Sequence, residues 1–179
     1  MEESNITVLK DKLKNIALQI LEIERERIDC KSDMADIKTE LNCLMPKSYV
    51  PKAIKVYLGK GRLEEQALQE YQDICDFLDM SYTCGVVQPN NDRYAEDEKS
   101  KDRKRRVLDT LQRYKVLQDE CNEYAVQIRD LYAKARSCNI SVPLLKKLVD
   151  FVLHPDKLKA YNNDTPLLEV YTEVIPDLS

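Results

Sequence analysis

The residues with the most chemistry to offer in this sequence are cations, gathered in three blocks. Residues 45–62 hold Lys47, Lys52, Lys55, Lys60 and Arg62 and no acid at all. Residues 99–106 set Lys99, Lys101, Arg103, Lys104, Arg105 and Arg106 against Asp102 alone. Residues 134–159 carry Lys134, Arg136, Lys146, Lys147, Lys157 and Lys159 against Asp150 and Asp156. The chemistry open to such blocks is electrostatic: ammonium and guanidinium groups neutralise phosphates, and they do so without regard to base sequence. A basic run is equally the mark of a solvated helix start, and the 99–106 block fits that description too.

Other chemistries have less to stand on. There is one histidine, His154 beside Pro155, which suits a surface or capping position. No Gly-rich phosphate loop, no Ser or Cys nucleophile motif and no carboxylate cluster outside the helix flanks is present, so an enzyme is not expected. The six cysteines, at 30, 43, 75, 84, 121 and 138, include no CxxC pair to begin a zinc site. Cys30, Cys43, Cys121 and Cys138 fall on apolar helix stripes, where a thiol packs as a small hydrophobe; this usage fits a reducing compartment. Neither cofactor nor metal is expected. A formal net charge of −4 argues against a simple polycation. No apolar run is long enough to span a bilayer and the N-terminus MEESNITVLKDK lacks signal-peptide character, so a soluble, cytoplasmic protein is expected.

The elements that must position the cations are helices. With 34% charged residues, 7% aromatics and three glycines, the composition favours long solvated helices over sheets. Leu9, Leu13, Ile16, Ile20, Ile23, Arg27, Cys30, Met34, Ile37, Leu41 and Leu44 alternate by four and three, and no Gly or Pro interrupts residues 1–45. One helix of roughly 35–40 residues is expected, with a seam that needs a partner helix. Arg27 sits in that seam, its stem packing and its charge reaching a neighbouring Glu. Pro46 stops the helix. Pro51 then suits the first turn of a second one, whose apolar face is Ala53, Ile54, Tyr57 and Leu58 and whose end is Gly59 and Gly61. A third helix is expected over 63–78. From 79 to 98 the helical period is lost, and Gly85, Pro89, Asn90 and Asn91 mark a linker.

The second half repeats the first. Val107, Leu111, Tyr114, Leu117, Cys121, Tyr124, Ile128, Leu131, Ala135 and Cys138 form another seam, with one slip of register between Leu111 and Cys121. From Leu117 onward each position lies 94 residues after a counterpart: Ile23 with Leu117, Met34 with Ile128, Leu41 with Ala135, Asp36 with Asp130. Past the break, VPKAIKVYL answers VPLLKKLVDFVL, with Ser141 a candidate N-cap. ALQEYQDI answers LLEVYTEV, setting Tyr71 against Tyr171. Three elements in the same order, with Val-Pro and LxxY in place, point to duplication.

The second copy, through IRDLYAKAR (128–136), ISVPLLKKLV (140–149) and PLLEVYTEV (166–174), resembles the GapR-like family of bacterial nucleoid-associated DNA-binding proteins. The likeness covers about sixty residues of that copy and, more faintly, the first copy through VPKAIKVYL and ALQEYQDI. It implies an all-helical chain that associates through its long helices around duplex DNA, with basic residues near the break and on the second helix contacting phosphates. Arg136, Lys146 and Lys147 match basic positions of the family pattern, and Lys52 and Lys55 are the nearest equivalents in the first copy. Pro143, Asp150 and Val152 stand where the family is commonly basic.

The expectation is therefore an all-α chain of two tandem repeats, each a long heptad helix plus two shorter helices, with coiled-coil-like pairing of the long helices. The first repeat is 1–78, the linker 79–98 and the second repeat 99–179. The expected function is non-enzymatic binding of double-stranded DNA, nucleoid-associated, with homo-oligomer formation through the long helices. Its contacts are phosphate contacts from Lys47, Lys52, Lys55, Lys60, Arg62, Arg103, Lys104, Arg105, Arg106, Lys134, Arg136, Lys146 and Lys147. The alternative is a helical interaction module that pairs with, or modulates, a single-repeat relative.

Overall fold

The structure, a computed structural model, describes residues 2–59, 72, 74, 75, 77, 80–83, 86–89 and 98–159. They form helix α1 (Glu2–Leu44), helix α2 (Val50–Tyr57), strands β1 (Met80–Thr83) and β2 (Val86–Pro89), helix α3 (Glu98–Ser137), helix α4 (Val142–Leu153) and a short α5 (Pro155–Lys159). The first heptad run is thus a single helix of 43 residues and the second one of 40. Each long helix is followed by a short helix that opens on Val-Pro, at Val50-Pro51 and at Val142-Pro143. Proline there costs little, since the first-turn N–H groups of a helix have no internal acceptor.

The chain divides into two compact units, Met1–Asp29 with Cys121–Ser179, and Cys30–Glu120. Both long helices contribute to each unit. The sequence division at 1–78 and 99–179 follows element order instead, and the units interleave it.

In the first unit the core is Leu13, Ile16, Ala17, Ile20 and Leu21 of α1, Ile128 and Ala135 of α3, Ile140, and Leu145, Leu148 and Val149 of α4. Leu13, Ile16, Ile20, Ile128 and Ala135 are seam positions. Ala17 and Leu21 widen the stripe, because α1 here meets α4 as well as α3, and a helix with two neighbours needs a broader apolar face than a seam supplies. A fully buried Leu or Ile contributes about 1.5–3 kcal/mol relative to exposure, which makes this cluster the main source of the unit's stability.

Arg27 reaches Glu24, its Nη1 3.3 Å from each carboxylate oxygen. Its Nε is buried with no hydrogen-bond partner among the described residues. A seam position that leaves an N–H unsatisfied is better filled by an apolar side chain. Arg27→Leu is expected to raise stability by about 1 kcal/mol, read as a higher thermal midpoint. A variant less stable than the parent would show that the guanidinium is worth more than its unmet bond costs.

In the second unit, Cys30, Met34, Ile37, Leu41 and Leu44 of α1 are buried, as are Val107, Leu111 and Tyr114 of α3. Cys30 Sγ donates to Leu117 O at 3.0 Å, Glu40 accepts from Arg113 at 2.9 Å, and Arg103 Nε donates to Leu44 O. As numbers rise on α1 they fall on α3, so the two helices of this unit run antiparallel. The buried Thr110 hydroxyl lies 2.8 Å from Arg106 O and 3.1 Å from Glu40 Oε1. Tyr57 of α2 donates to Gln112 of α3, and Val50, Ala53, Ile54 and Val56 are buried. Gln72, Ile74, Cys75 and Phe77 are helical, with Ile74 and Cys75 buried. The remainder of the expected 63–78 helix, and the last helix with Tyr171, lie outside the described residues.

The described residues are mostly helical, and the stretch read as linker holds a short two-stranded antiparallel ladder, with Met80 opposite Pro89 and Thr83 opposite Val86. Tyr82, Thr83, Val86 and Val87 are the aromatic and β-branched types that suit a pleated surface. One expectation is corrected: Cys43, placed on an apolar stripe from sequence, is exposed, whereas Cys30 and Cys121 are buried and Cys138 half-buried. Cys43 precedes the seam residue Leu44 and its thiol falls beside the seam.

Candidate nucleic-acid interface

In the first unit the candidate cations lie in the last turn of α3 and on α4, which a tight corner joins. The corner is built by the end of α3, where Asn139 adopts φ 60°. Ile140 N–H bonds to Ala135 O at 3.0 Å and Asn139 N–H to Arg136 O at 3.1 Å. This 6→1 and 5→2 pair, closed by a left-handed residue, is a Schellman termination, and Ile140 and Ala135 meet in the core beneath it. Asn accepts that conformation more readily than other non-glycine residues. Ser141 then takes the N-cap position of α4 without a side-chain cap bond, and its carbonyl accepts from Leu145 N–H.

Lys134 and Arg136, exposed in the last turn of α3, lie at the negative end of its dipole, where cations are favoured. Lys146 and Lys147 are exposed on α4. The Lys146 ammonium is 5.2 Å from the ring centroid of Tyr132, a cation–π contact that orients it. Asp150 is held by Lys157 at 2.7 and 2.9 Å, and His154 Nδ1 lies 3.1 Å from it. The Lys157 hydrogen bond, with His154 nearby, keeps its carboxyl below the usual carboxylate range. Its negative charge is therefore compensated locally. His154 is exposed at the C-cap of α4, as expected from sequence.

Burial, reinforced by the nearby Glu24 carboxylate, pushes the Tyr132 hydroxyl up to about 12 from an ordinary value of 10. Between those two pH values the unfolded tyrosine has lost its proton and the folded one has kept it. Stability contributed by the neutral phenol is complete below pH 10 and falls as pH rises toward 12. Tyr132→Phe is expected to flatten the loss of urea midpoint between pH 10 and 12 relative to the parent. Parallel curves for the two proteins would refute the assignment.

In the second unit Lys47 is exposed in the turn after α1, Lys55 is exposed on α2 and Lys52 is half-buried. Lys60 and Arg62 lie outside the described residues. The 99–106 block is helical, being the start of α3. Cations at a helix N-terminus oppose their own helix dipole. Here the antiparallel partner supplies the compensation: α1 ends without a basic residue in its last turn, and Arg103 donates to its Leu44 carbonyl. Lys99, Arg103 and Arg106 line one hollow with Asp102, Cys43 and Leu44. Arg105 is exposed, 4.0 Å from Asp109, and Arg106 is exposed. Lys104 is buried, 6% exposed, and so stands apart from the surface cations expected of this block. Part of the block thus serves the end of α1.

Sequence reasoning passed over two open grooves between the long helices. The second unit's groove is lined by Asp33, Asp36, Ile37 and Glu40 of α1 and by Arg113, Val116 and Leu117 of α3. The first unit's groove is lined by Gln127, Asp130, Leu131 and Lys134 of α3 and by Gln19, Glu22 and Ile23 of α1. Every position in one groove lies 94 residues from a position in the other. Among the described residues no helix is long and apolar enough to cross a membrane, and no group of three or more His, Cys, Asp or Glu is placed to hold a metal ion. No family model, no curated protein and no solved structure matches this chain.

Proposed function

We propose that this protein binds duplex DNA through phosphate contacts centred on Lys134, Arg136, Lys146 and Lys147. The observation that carries the reading is that four exposed cations fall on the end of α3 and on α4, the two helices joined by one Schellman turn, in the segments that resemble the GapR-like family. Asp150, one helical turn from Lys146 and Lys147, is neutralised locally by Lys157. Lys47, Lys55, Arg105 and Arg106 are exposed cations of the second unit that would add to binding. The 94-residue equivalence of the grooves supports a duplicated fold. With most seam residues buried inside each unit, association with further copies would use the part of the long helices left exposed.

Such binding is dominated by counterion release. Four phosphate contacts predict a slope of log K against log salt of about −3.6, or an affinity loss on the order of 100-fold between 50 and 200 mM salt. Fluorescence anisotropy with a labelled duplex checks this. No binding at low salt, or a slope near zero, would remove the reading. A helical interaction module is the second reading, favoured by the net charge of −4 and by the carboxylate-rimmed grooves.

A further inference from the structure

The groove of the second unit has a chemistry opposite to the cationic corner. Asp33, Asp36 and Glu40 are exposed along its α1 side. Arg113, its one cation, is already held by Glu40 at 2.9 Å. Between these rims Leu117 is half-buried, Ile37 forms the floor, and Val116 leaves 47% of its surface to solvent. Two helices packed side by side leave a furrow of the width that a third helix fills. A partner for this furrow needs an apolar stripe to cover Val116 and Leu117, and cations beside the stripe to meet Asp33 and Asp36.

We propose that this groove seats a basic amphipathic helix of a partner protein. The first unit carries the same groove at the 94-residue offset, with Asp130 in the place of Asp36 and Leu131 in the place of Ile37. There Lys134 replaces Glu40 and Gln127 replaces Asp33, so the acidic rim is weaker and the second seat is the poorer of the two. Exposed carboxylates steer and orient such a ligand, and apolar contact holds it. The binding therefore weakens with salt without vanishing.

A fluorescein-labelled sixteen-residue peptide of Lys and Leu at helical spacing, and a scrambled peptide of the same composition, serve as probes. Anisotropy of the full chain is expected to show at least tenfold tighter binding of the amphipathic peptide than of the scrambled one. Asp33→Lys with Asp36→Lys is expected to weaken it tenfold or more, and Asp130→Lys by less. Asp11→Lys with Glu26→Lys, which makes the same charge change at exposed positions outside the grooves, is expected to change it less than twofold. Asp33→Asn with Asp36→Asn guards against loss of folding, with an unchanged thermal midpoint and an intermediate affinity. The groove variants should leave duplex binding unimpaired, which separates this proposal from the DNA reading. Equal binding of both peptides, or equal loss in the groove and control variants, would overturn it.

Discussion

Replacing Arg136, Lys146 and Lys147 together by Glu is expected to lower duplex affinity by more than 100-fold at 100 mM salt and to reduce the salt slope by about 2.7, the share of three contacts. All three side chains are exposed, and none enters the core cluster. The substitution therefore changes charge with little effect on packing. One structural cost is a carboxylate at position 136, in the last turn of α3 where the helix dipole disfavours it, about 0.5 kcal/mol. The other is the loss of the Lys146–Tyr132 contact, about 0.5–1 kcal/mol. Neither is large enough to unfold the chain. A matched control is Arg25→Glu, Lys31→Glu and Arg129→Glu, exposed cations outside the corner. It makes the same change in net charge and is expected to retain most of the affinity. If both triple variants weakened binding alike, attraction would be diffuse and the corner would hold no site.

The long helices are legible in the sequence because their apolar residues recur at three and four over many turns without a breaker. The seam from Leu9 to Leu44 and the stop at Pro46 give a helix of about 35–40 residues, and α1 runs a little longer, starting at Glu2. The start of α3 is less so, since residues 99–106 carry charge where a seam would carry apolar groups. Yet the seam of α3, extended back three residues from Val107, falls on Lys104. Its burial is the consequence of that position, with a long apolar stem standing in for a hydrophobe. The same logic places Arg27. Asn139 is hidden as the left-handed terminator because Asn is common in loops of every kind, whereas Gly59, at φ 63° after α2, announces itself.

Helix orientation is illegible from the seam alone, because a heptad stripe packs equally well against a parallel or an antiparallel partner. The charges hold a clue. Lys99, Lys101 and Arg103 stand at the end of α3 where its own dipole repels them, and the matching end of α1 lacks a cation. Only a partner running the other way reconciles the two, and the Arg103–Leu44 bond does so. The grooves are invisible for a different reason. Asp36 and Asp130 coincide at the repeat offset, but a carboxylate on a solvated helix face looks the same in sequence whether or not a furrow lies beside it.

The core of the first unit makes the sharpest stability prediction. Leu145 is fully buried among side chains of α1, α3 and α4, and Leu145→Ala removes its contacts and leaves a cavity. The expected loss is about 3 kcal/mol, within the usual range of about 2–5 for buried leucine, against a total stability of about 5–15 for a domain. With Val142 and Val50 aligned, the counterpart of Leu145 in α2 is Ala53, which is also fully buried. Each unit has thus been packed around a different side-chain volume at that position. The reciprocal change, Ala53→Leu, is expected to be destabilising as well, by about 1–3 kcal/mol, because the added atoms have no space to enter. Hydrogen exchange resolves the two effects: Leu145→Ala is expected to speed exchange first at amides of α4 and the N-terminal half of α1, and Ala53→Leu at α2. A tolerated leucine at position 53, with an unchanged melting temperature, would show that the two short helices pack interchangeably.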